Sequence, residues 1–291
     1  MKKYSVIIPH KDCPDLLSRC INSVPNRDDI EVLIVDDNSK DKEKIRQVSK
    51  KYANKNATFI YTTEGKGAGF ARNQGLKTAS GKWLLFADAD DYFTDGAFDF
   101  FDKYQDTDAD IVVFKHCSVF SDTGEETIRS DSRNGFIDDY LNNMNEWSEA
   151  RLRYSNDVPW AKMVRRDLVV ENHILFDEVP ASNDTMFSLM AGYYANSINA
   201  DKNVVYKVTV RQGSITKTKS VERYFSDHCV ALRKNKFVRE IGHPECQEVI
   251  LSRLLIVLKN YGYKEFLRFM KEVKRYDGKL FFGLRSKIGL K

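Results

Sequence analysis

Three carboxylates follow directly on a short apolar run, where residues 83–91 read WLLFADADD. The apolar part, residues 83–87, predicts a buried strand. Such a strand delivers Asp88, Asp90 and Asp91 to the carboxyl edge of a sheet, where open α/β sheets bind their ligands. Carboxylates this close together repel one another unless a cation lies among them, and oxygen ligands of this kind suit Mg²⁺ or Mn²⁺. The alternative is an acidic turn that caps the helix expected near Ala97.

A second acidic strand end lies earlier in the chain, where residues 31–36 form an apolar run and Asp36 is followed by Asp37. Two carboxylates there are suited to hydrogen bonds with a base or a ribose. The alternative is again helix capping, because Asn38, Ser39 and Asp41 are all favoured capping residues.

The third chemical segment, residues 65–73, reads GKGAGFARN. Glycines before a helix let backbone amides approach an anion, and Arg72 adds a positive charge. The spacing matches neither the dinucleotide G-x-G-x-x-G pattern nor a P-loop, and no Gly-rich turn follows the first strand. The segment therefore predicts a nucleotide site of another kind.

Strands alternate with helices through the first 115 residues. The expected strands are 5–9, 31–36, 57–62, 83–87 and 110–114, and the expected helices begin at Pro14 and cover 41–52, 70–78 and 97–104. This alternation predicts right-handed βαβ units, a mostly parallel sheet and the α/β class.

The pattern is looser after residue 115. Residues 116–135 are polar, helices are expected at 138–156, 166–172 and 184–194, a strand at 204–210, and helices again beyond residue 221. We therefore predict a catalytic domain over residues 1–218 and a helical, basic C-terminal extension over residues 219–291.

The composition is that of a soluble globular protein, with 291 residues, 42% hydrophobic and 30% charged. The 5 cysteines are odd in number and form no C-x-x-C pair, which argues against a zinc site or a disulfide framework. No apolar run is long enough to span a bilayer. These observations predict a cytoplasmic protein with free thiols in a reducing compartment.

Positive charge is concentrated at the C-terminus, where residues 253–291 hold eleven Lys or Arg and three Asp or Glu. Within 264–276, the side chains of Phe266, Leu267, Met270 and Val273 can form one helical face with basic residues around it. This pattern suits a helix lying on an anionic membrane. The alternatives are contact with nucleic acid, or a face that packs on the protein while its charges are solvated.

Four segments, residues 5–9, 35–41, 67–75 and 88–91, occur in order and at a spacing that together resembles the family 2 inverting glycosyltransferases with the GT-A fold. Residues 159–167 and 172–176 resemble the bacterial capsule and exopolysaccharide branch. The resemblance covers residues 1–215 and leaves the C-terminal part outside. It implies a GT-A-type, Rossmann-like sheet with flanking helices.

The resemblance also implies roles for matching positions. Asp36 or Asp37 would contact the uracil of a UDP-sugar, Asp88 would hold the ribose, and Asp90 and Asp91 would hold Mn²⁺ or Mg²⁺ on the diphosphate. The further positions expected at the nucleotide-sugar are Pro9, Gly67, Arg72 and Ala89. Trp160 and Lys162 are expected on the acceptor side.

An inverting enzyme needs a base to deprotonate the acceptor hydroxyl. The family often places it in a Glu-Asp pair before a helix, and the matching residues here are Asn183 and Asp184. We therefore assign the base to Asp184, with helix capping as the alternative and Asp177 or Glu178 as the other candidates.

The sequence thus predicts a metal-dependent, non-processive inverting glycosyltransferase that moves a sugar from a UDP-sugar to a hydroxyl of a growing surface glycan. The Gln-x-x-Arg-Trp motif of processive relatives is absent. The expected partners are the nucleotide-sugar donor, a glycan or lipid-linked glycan acceptor and an anionic membrane at the inner face of the plasma membrane, with no nucleic acid. The alternatives are a nucleotidyltransferase of similar fold and an inactive sugar-binding scaffold.

Overall fold

The computed structural model describes residues 2–127, 131–210, 220–280 and 282. The strands are β1 (Tyr4–His10), β2 (Ile30–Asp36), β3 (Ala57–Tyr61), β4 (Trp83–Phe86), β5 (Tyr92–Phe93), β6 (Ile111–Phe120), β7 (Glu126–Thr127), β8 (Lys162–Arg165) and β9 (Ile198–Val210). Within the described ranges they form one nine-stranded sheet in the order β3-β2-β1-β4-β8-β6-β9-β5, with β7 beside β6.

The helices flank this sheet and form the C-terminal part. They are α1 (Pro14–Asn22), α2 (Lys42–Lys51), α3 (Ala68–Thr78), α4 (Ala97–Lys103), α5 (Asp131–Asn142), α6 (Glu146–Tyr154), α7 (Arg166–Glu171), α8 (Thr185–Tyr194), α9 (Val221–Glu240) and α10 (Ile250–Arg275), with a short 3₁₀ helix at Pro244–Cys246. Helix α10 is kinked at Gly262, where φ is 82°. No helix in the described ranges is long and apolar enough to cross a membrane.

Strands β3, β2, β1 and β4 are parallel neighbours, which confirms the expected α/β architecture of the N-terminal half. His10 of β1 lies opposite Asp36 of β2, and Ile7 lies opposite Phe86 of β4. The carboxyl ends of these strands therefore meet at one edge of the sheet. The three chemical segments predicted from the sequence all begin at that edge.

The other half of the sheet is mixed. Strand β8 runs antiparallel between β4 and β6, while β9 is parallel to β6. The sequence did not reveal β8, because four residues carry too little pattern to mark a strand. The single helix expected at 138–156 is instead two, because Asn145 caps α6 through a 3.0 Å hydrogen bond from the backbone N–H of Ser148.

Apolar side chains cover both faces of the sheet, which explains why its central strands are apolar throughout. Val6 and Ile8 point to the face covered by α1, α2 and α4, and Ile7 points to the face covered by α5 to α8. Each Leu, Ile or Phe side chain that is fully buried in these layers stabilises the fold by about 1.5–3 kcal/mol.

The C-terminal helices pack on each other and on the rest of the chain. Leu232 of α9 contacts the α10 residues around Leu254 and Phe269, and Val238 of α9 packs with Tyr154 of α6 and Leu189 of α8. Of the face predicted for membrane contact, Phe266, Met270 and Val273 pack in the α9–α10 cluster, and Leu267 is exposed. The domain boundary predicted between residues 218 and 219 falls within residues 211–219, which the structure does not describe.

Candidate functional site

Asp36 and Asp37 follow each other at the end of β2 but have different surroundings. Asp36 is fully buried and accepts hydrogen bonds from Nδ1 of His10 at 2.9 Å, from the Ser39 hydroxyl and from the Ser39 backbone N–H at 3.1 Å. Burial alone would raise the pKa of Asp36, but the hydrogen bonds from His10 and Ser39 outweigh it and hold the pKa below its usual value. Asp36 is thus an anion satisfied from within the protein.

Asp37 presents an oxygen that the protein leaves unpaired. Its Oδ2 accepts from the backbone N–H of Gly67 at 2.8 Å and from Nζ of Lys11 at 3.3 Å. Its Oδ1 is buried and has no hydrogen-bond partner among the described residues. Buried carboxylate oxygens are normally hydrogen-bonded, so Oδ1 is placed to accept from a ligand. The structure thus distinguishes Asp36 from Asp37, whereas the sequence left both as candidates for contact with the uracil.

Arg72 connects the glycine-rich segment with two other parts of the chain. It lies in α3, which begins after Gly67, a residue with φ of 99°. The guanidinium is buried, pairs with Oδ1 of Asp88, and donates to Oδ1 of Asn183 at 2.7 Å. Its Nε is buried without a partner among the described residues. Arg72 therefore fixes Asp88 relative to the residue just before Asp184.

The aspartates after β4 also divide into two kinds. Asp88 and Asp90 are half-buried, while Asp91 is buried and accepts from the backbone N–H of Thr209 at 2.7 Å and from the Tyr206 hydroxyl at 3.2 Å. Burial, together with the charges of Asp88 and Asp90, raises the pKa of Asp91. The metal role predicted for Asp91 stays a prediction, and its partners favour a structural role instead.

The candidate ligands for a cation at this turn are the half-buried carboxylates of Asp88, which also pairs with Arg72, and of Asp90. No group of three or more His, Cys, Asp or Glu among the described residues is arranged to hold a metal ion. This donor set fits Mg²⁺ or Mn²⁺ when the other ligands come from water and a substrate diphosphate, as is usual for Mg²⁺ in proteins. It does not fit an ion bound by protein ligands alone.

Asp184 stands at the first turn of α8 but does not cap that helix, because its side chain makes no capping hydrogen bond. The carboxylate is half-buried. Burial raises its pKa to about 6, Arg72 opposes this shift, and the charges of Asp157 and Asp88 add to it. A carboxylate with a raised pKa and no structural hydrogen bond at its helix is suited to accept a proton near neutral pH.

The other candidates for the base are less suited to this role. Both oxygens of Asp177 accept from the guanidinium of Arg233, at 2.9 and 3.3 Å. Glu178 is exposed to solvent. The geometry therefore favours Asp184 among the three predicted residues.

The remaining predicted residues are buried. Trp160 stacks on Tyr206 with ring centroids 5.5 Å apart and planes at 11°, and Lys162 donates from Nζ to the backbone oxygen of Asn156 at 2.6 Å. Burial lowers the pKa of Lys162 to about 7. Pro9 and Ala89 lie in the interior at the ends of β1 and β4. Contact of Trp160 and Lys162 with an acceptor stays a prediction that their burial does not favour.

Several residues around the site were missed by the sequence analysis. Tyr206 accepts from the backbone N–H of Asp88 at 2.8 Å, and Thr209 donates from its hydroxyl to the backbone oxygen of Asp90 at 2.7 Å. Arg19 donates to the same oxygen at 2.6 Å. These side chains hold the 88–91 turn from α1 and β9, and no local motif marks them.

Two cavities lie near these residues. One of about 480 Å³ lies between the starts of α1 and α2 and is lined by His10, Ser39 and Asp41, but not by Asp37, Arg72 or Asp88. The other, of about 630 Å³, lies beside the start of α8, where Ser182 and Thr185 flank Asp184. Thr185 at the start of α8 lines the second cavity, but Asp184 itself lines neither cavity.

The sequence of this chain is similar to those of known proteins. The model of the family described as Glycosyl transferase family 2 matches residues 5–171. The chain is 26% identical over 227 residues to the protein EpsH of Bacillus subtilis (strain 168), covering 76% of this chain and 63% of EpsH. It is 30% identical over 236 residues to the poly(ribitol-phosphate) beta-N-acetylglucosaminyltransferase TarS of Staphylococcus aureus (strain MW2), covering 73% of this chain and 36% of TarS. The chain thus spans less than two thirds of either relative.

The fold is that of solved glycosyltransferase structures. The crystal structure of S. aureus TarS 1-349 in complex with UDP-GlcNAc superposes with a TM-score of 0.68 at 21% identity, covering 94% of this chain and 80% of that one. The mannosyltransferase PcManGT from Pyrobaculum calidifontis, in complex with GDP-Man and Mn²⁺, superposes with a TM-score of 0.57 at 16% identity, covering 99% and 79%. The GT-A-type fold predicted from the sequence is confirmed. With its family model matched over residues 5–171, the protein belongs to glycosyl transferase family 2.

Proposed function

We propose that the protein is an inverting, metal-dependent glycosyltransferase that adds single sugars from a UDP-sugar to a hydroxyl of a glycan. The main support for this proposal is that the carboxylate of Asp184 makes no capping hydrogen bond to α8 and has a raised pKa. It lies next in sequence to Asn183, the partner of the Arg72–Asp88 pair. This arrangement supports a catalytic base next to the nucleotide-sugar site.

The donor would bind across the carboxyl ends of β1, β2 and β4. Oδ1 of Asp37 is available to accept a hydrogen bond from the nucleobase of the donor, and Nε of Arg72 is available to donate a hydrogen bond. A uracil N–H suits the first of these, and a phosphate or ribose oxygen suits the second. The TarS structure that shares this fold contains UDP-GlcNAc, which supports UDP as the nucleotide here.

A divalent cation, Mn²⁺ or Mg²⁺, would be held by Asp90 with Asp88 and by the donor diphosphate. When bound, it would neutralise negative charge on the departing UDP. PcManGT, which shares the fold, binds Mn²⁺ with its donor. Asp91 would orient the turn through Thr209 and Tyr206 rather than touch the ion.

The acceptor would enter through the cavity of about 630 Å³ that Ser182 and Thr185 line on either side of the Asn183–Asp184 pair. Among the described residues, four basic and four acidic side chains line it, so its charge is balanced. Asp157 of this lining pairs with Arg133 at 3.0 Å, and Lys234 pairs with Glu248 at 3.2 Å. A balanced, polar lining suits the hydroxyls of an uncharged glycan, free or lipid-linked, better than a polyanion.

The protein would act at an anionic membrane surface, through exposed residues of which only Leu267 belongs to the apolar face expected from the sequence. Leu255, Tyr263 and Leu267 are 55%, 66% and 49% exposed on α10, and Lys259 and Lys264 lie exposed between them. Leu255 and Lys259 lie four positions apart before the kink at Gly262, and Tyr263 and Leu267 lie four positions apart after it, so each pair shares one side of its own helical segment. Apolar side chains interspersed with lysines suit the headgroup region of an anionic leaflet.

The function is tested by incubating the purified protein with a panel of nucleotide-sugars and Mn²⁺ and identifying the products. A glycosyltransferase releases UDP slowly when it transfers the sugar to water and faster when it transfers the sugar to a suitable glycan. EDTA stops both reactions. Release of UTP and sugar 1-phosphate when pyrophosphate is added to the donor would instead show a nucleotidyltransferase. A protein that releases neither product from any donor would contradict the proposal and favour a scaffold.

A further inference from the structure

The segment that carries Asp184 is an irregular loop with few backbone hydrogen bonds of its own. In this loop, residues 177–184, the N–H of Asp177 donates to the backbone oxygen of Asn183 at 3.0 Å, which closes the loop at its base. Ser182 has a left-handed φ of 56°. A serine held in this conformation persists only where surrounding contacts fix it. The contacts that fix the loop therefore decide where Asp184 lies.

Those contacts come from one side of helix α9. Arg223 donates to the backbone oxygen of Pro180 at 2.6 Å, and the hydroxyl of Ser226 exchanges hydrogen bonds with the backbone of Ala181 at 3.2 and 3.3 Å. The Ser182 hydroxyl donates to Oδ1 of Asp227 at 2.5 Å.

Further along the same helix, Arg233 pairs with both oxygens of Asp177. The four contacting positions, Arg223, Ser226, Asp227 and Arg233, are separated by three, one and six residues, so they follow one face of the helix. Four of the loop residues, 177 and 180–182, are thus held by a single helix.

Helix α10 in turn holds Asp227, the α9 residue that accepts from Ser182. The guanidinium of Arg253 pairs with the second oxygen of Asp227 and with Glu248. The carboxylate of Asp227 is therefore fixed on one side by α10 and accepts from the loop on the other. The family model ends at residue 171, so the loop and both helices lie beyond the matched segment.

We propose that helix α9 positions the 177–184 loop for catalysis, with Ser226 and Asp227, which hold Ala181 and Ser182, as positioning residues. This inference rests on the proposed function of Asp184. On the opposite side, Asn183 is bonded to Arg72, so the base is held between the donor site and α9. Small displacements of a catalytic group cost a large part of the rate, so loss of the α9 contacts should lower turnover without lowering nucleotide affinity.

The test compares the double variant Ser226→Ala/Asp227→Ala with wild type. We expect kcat for UDP release to fall at least about tenfold, because the base is no longer held in line with its substrate. Affinity for UDP should stay within about twofold, because the donor site is untouched. The acid limb of the pH profile should move below about 6, because a loosened loop hydrates Asp184 and burial is the main cause of its raised pKa. Asp227→Asn, which keeps an acceptor for Ser182, should restore most of the rate.

Glu222→Gln is the matched control, since Glu222 lies on α9 and forms an exposed ion pair with Arg268 at 2.8 Å, away from the loop. Hydrogen exchange of the 177–184 peptide should become faster in the double variant and stay unchanged in the control. If the double variant does not fold, Ser182→Ala removes the contact to Asp227 from the loop side. The inference is overturned if the folded variants have the same kcat, pH profile and loop exchange as wild type. If wild type itself is inactive but the double variant still shows faster loop exchange, only the proposed function is contradicted.

Discussion

Asp90 is the residue on which metal binding depends in our proposal. Its backbone oxygen accepts hydrogen bonds from Arg19 and Thr209, and neither is affected by a change of side chain. Asp90→Asn should therefore fold normally while losing Mn²⁺-dependent UDP release and most of its affinity for Mn²⁺ in the presence of UDP, measured by titration calorimetry. Asp95→Asn, an exposed change four residues beyond the 88–91 turn, is the control. Normal turnover by a folded Asp90→Asn protein would exclude this residue as a metal ligand.

Asp184 gives a second prediction at the residue scale. Asp184→Asn should bind UDP normally and lose at least about 100-fold in turnover, the lower range for loss of a general base. Its melting temperature should stay equal or rise, because a partly buried charge is removed and no capping hydrogen bond is lost. Glu178→Gln, exposed in the same loop, is the matched control. A variant that keeps its rate would move the base to another residue.

The pH dependence follows from the same carboxylate. Its pKa is raised to about 6 by burial, with Arg72, Asp157 and Asp88 as the charged groups acting on it and Lys162 a further charge coupled to it. A base must be deprotonated, so activity is present above this pKa and is lost as the pH falls through it. We expect kcat/KM to decrease about tenfold per pH unit below about 6. A profile that stays flat down to pH values near 4, measured with saturating metal, would contradict this assignment.

Strand β9 is the element that orients the 88–91 turn, which holds the metal in our proposal. The Tyr206 hydroxyl accepts from Asp88 and donates to Asp91, while its ring stacks on Trp160. Tyr206→Phe keeps the stacking and removes both hydrogen bonds, so we expect a stability loss of about 1 kcal/mol per bond and weaker Mn²⁺ binding.

Tyr140→Phe is the matched change, because that buried hydroxyl donates to the backbone oxygen of Ile198 at 3.0 Å, far along the chain from the turn. Chemical denaturation should show a loss of stability of about 1 kcal/mol in Tyr140→Phe and about twice that in Tyr206→Phe, and calorimetry should show weaker Mn²⁺ binding only in Tyr206→Phe. Equal Mn²⁺ affinity in the two proteins would reduce β9 to a packing role.

Helices and strands whose sequence pattern is local were predicted correctly, and those that depend on distant or single contacts were missed. The strands β1, β2 and β4 are continuous apolar runs ending in polar residues, and the sequence predicted each within one or two residues. Strand β8 and the break before α6 were missed. Strand β8 is short and is defined by its antiparallel neighbours, and the break depends on the capping bonds of Asn145.

At the scale of the whole molecule, the exposed face of α10 predicts membrane binding. The protein should co-sediment with anionic liposomes, be released by salt, and bind neutral liposomes weakly, because each basic residue near the surface contributes about 1 kcal/mol. Leu255→Gln/Leu267→Gln should weaken this binding. Leu175→Gln, which changes a leucine that is 58% exposed before the 177–184 loop, is the control. Equal binding of both variants would exclude this face of α10 as the membrane contact.

The sequence by itself determined the family, the parallel half of the sheet and the acidic and glycine-rich segments at its edge. Each of these is encoded by residues close together in the chain, where an apolar run forms a strand and the polar residues after it lie at the strand's end. The sequence also predicted that Asp184 stands at the start of a helix, and in the structure it lies directly before α8.

Only the tertiary structure decided which of these side chains are available for chemistry. Oδ1 of Asp37 is unpaired while Asp36 is satisfied by His10 and Ser39, and Asp91 is committed to β9. The bonds from Arg72 to Asn183 and from Asp88 to Tyr206 join residues 111 and 118 positions apart. The packing of α9 on the 177–184 loop is likewise non-local. Whether an oxygen is paired or free depends on neighbours that only folding brings together, and no local spacing records them.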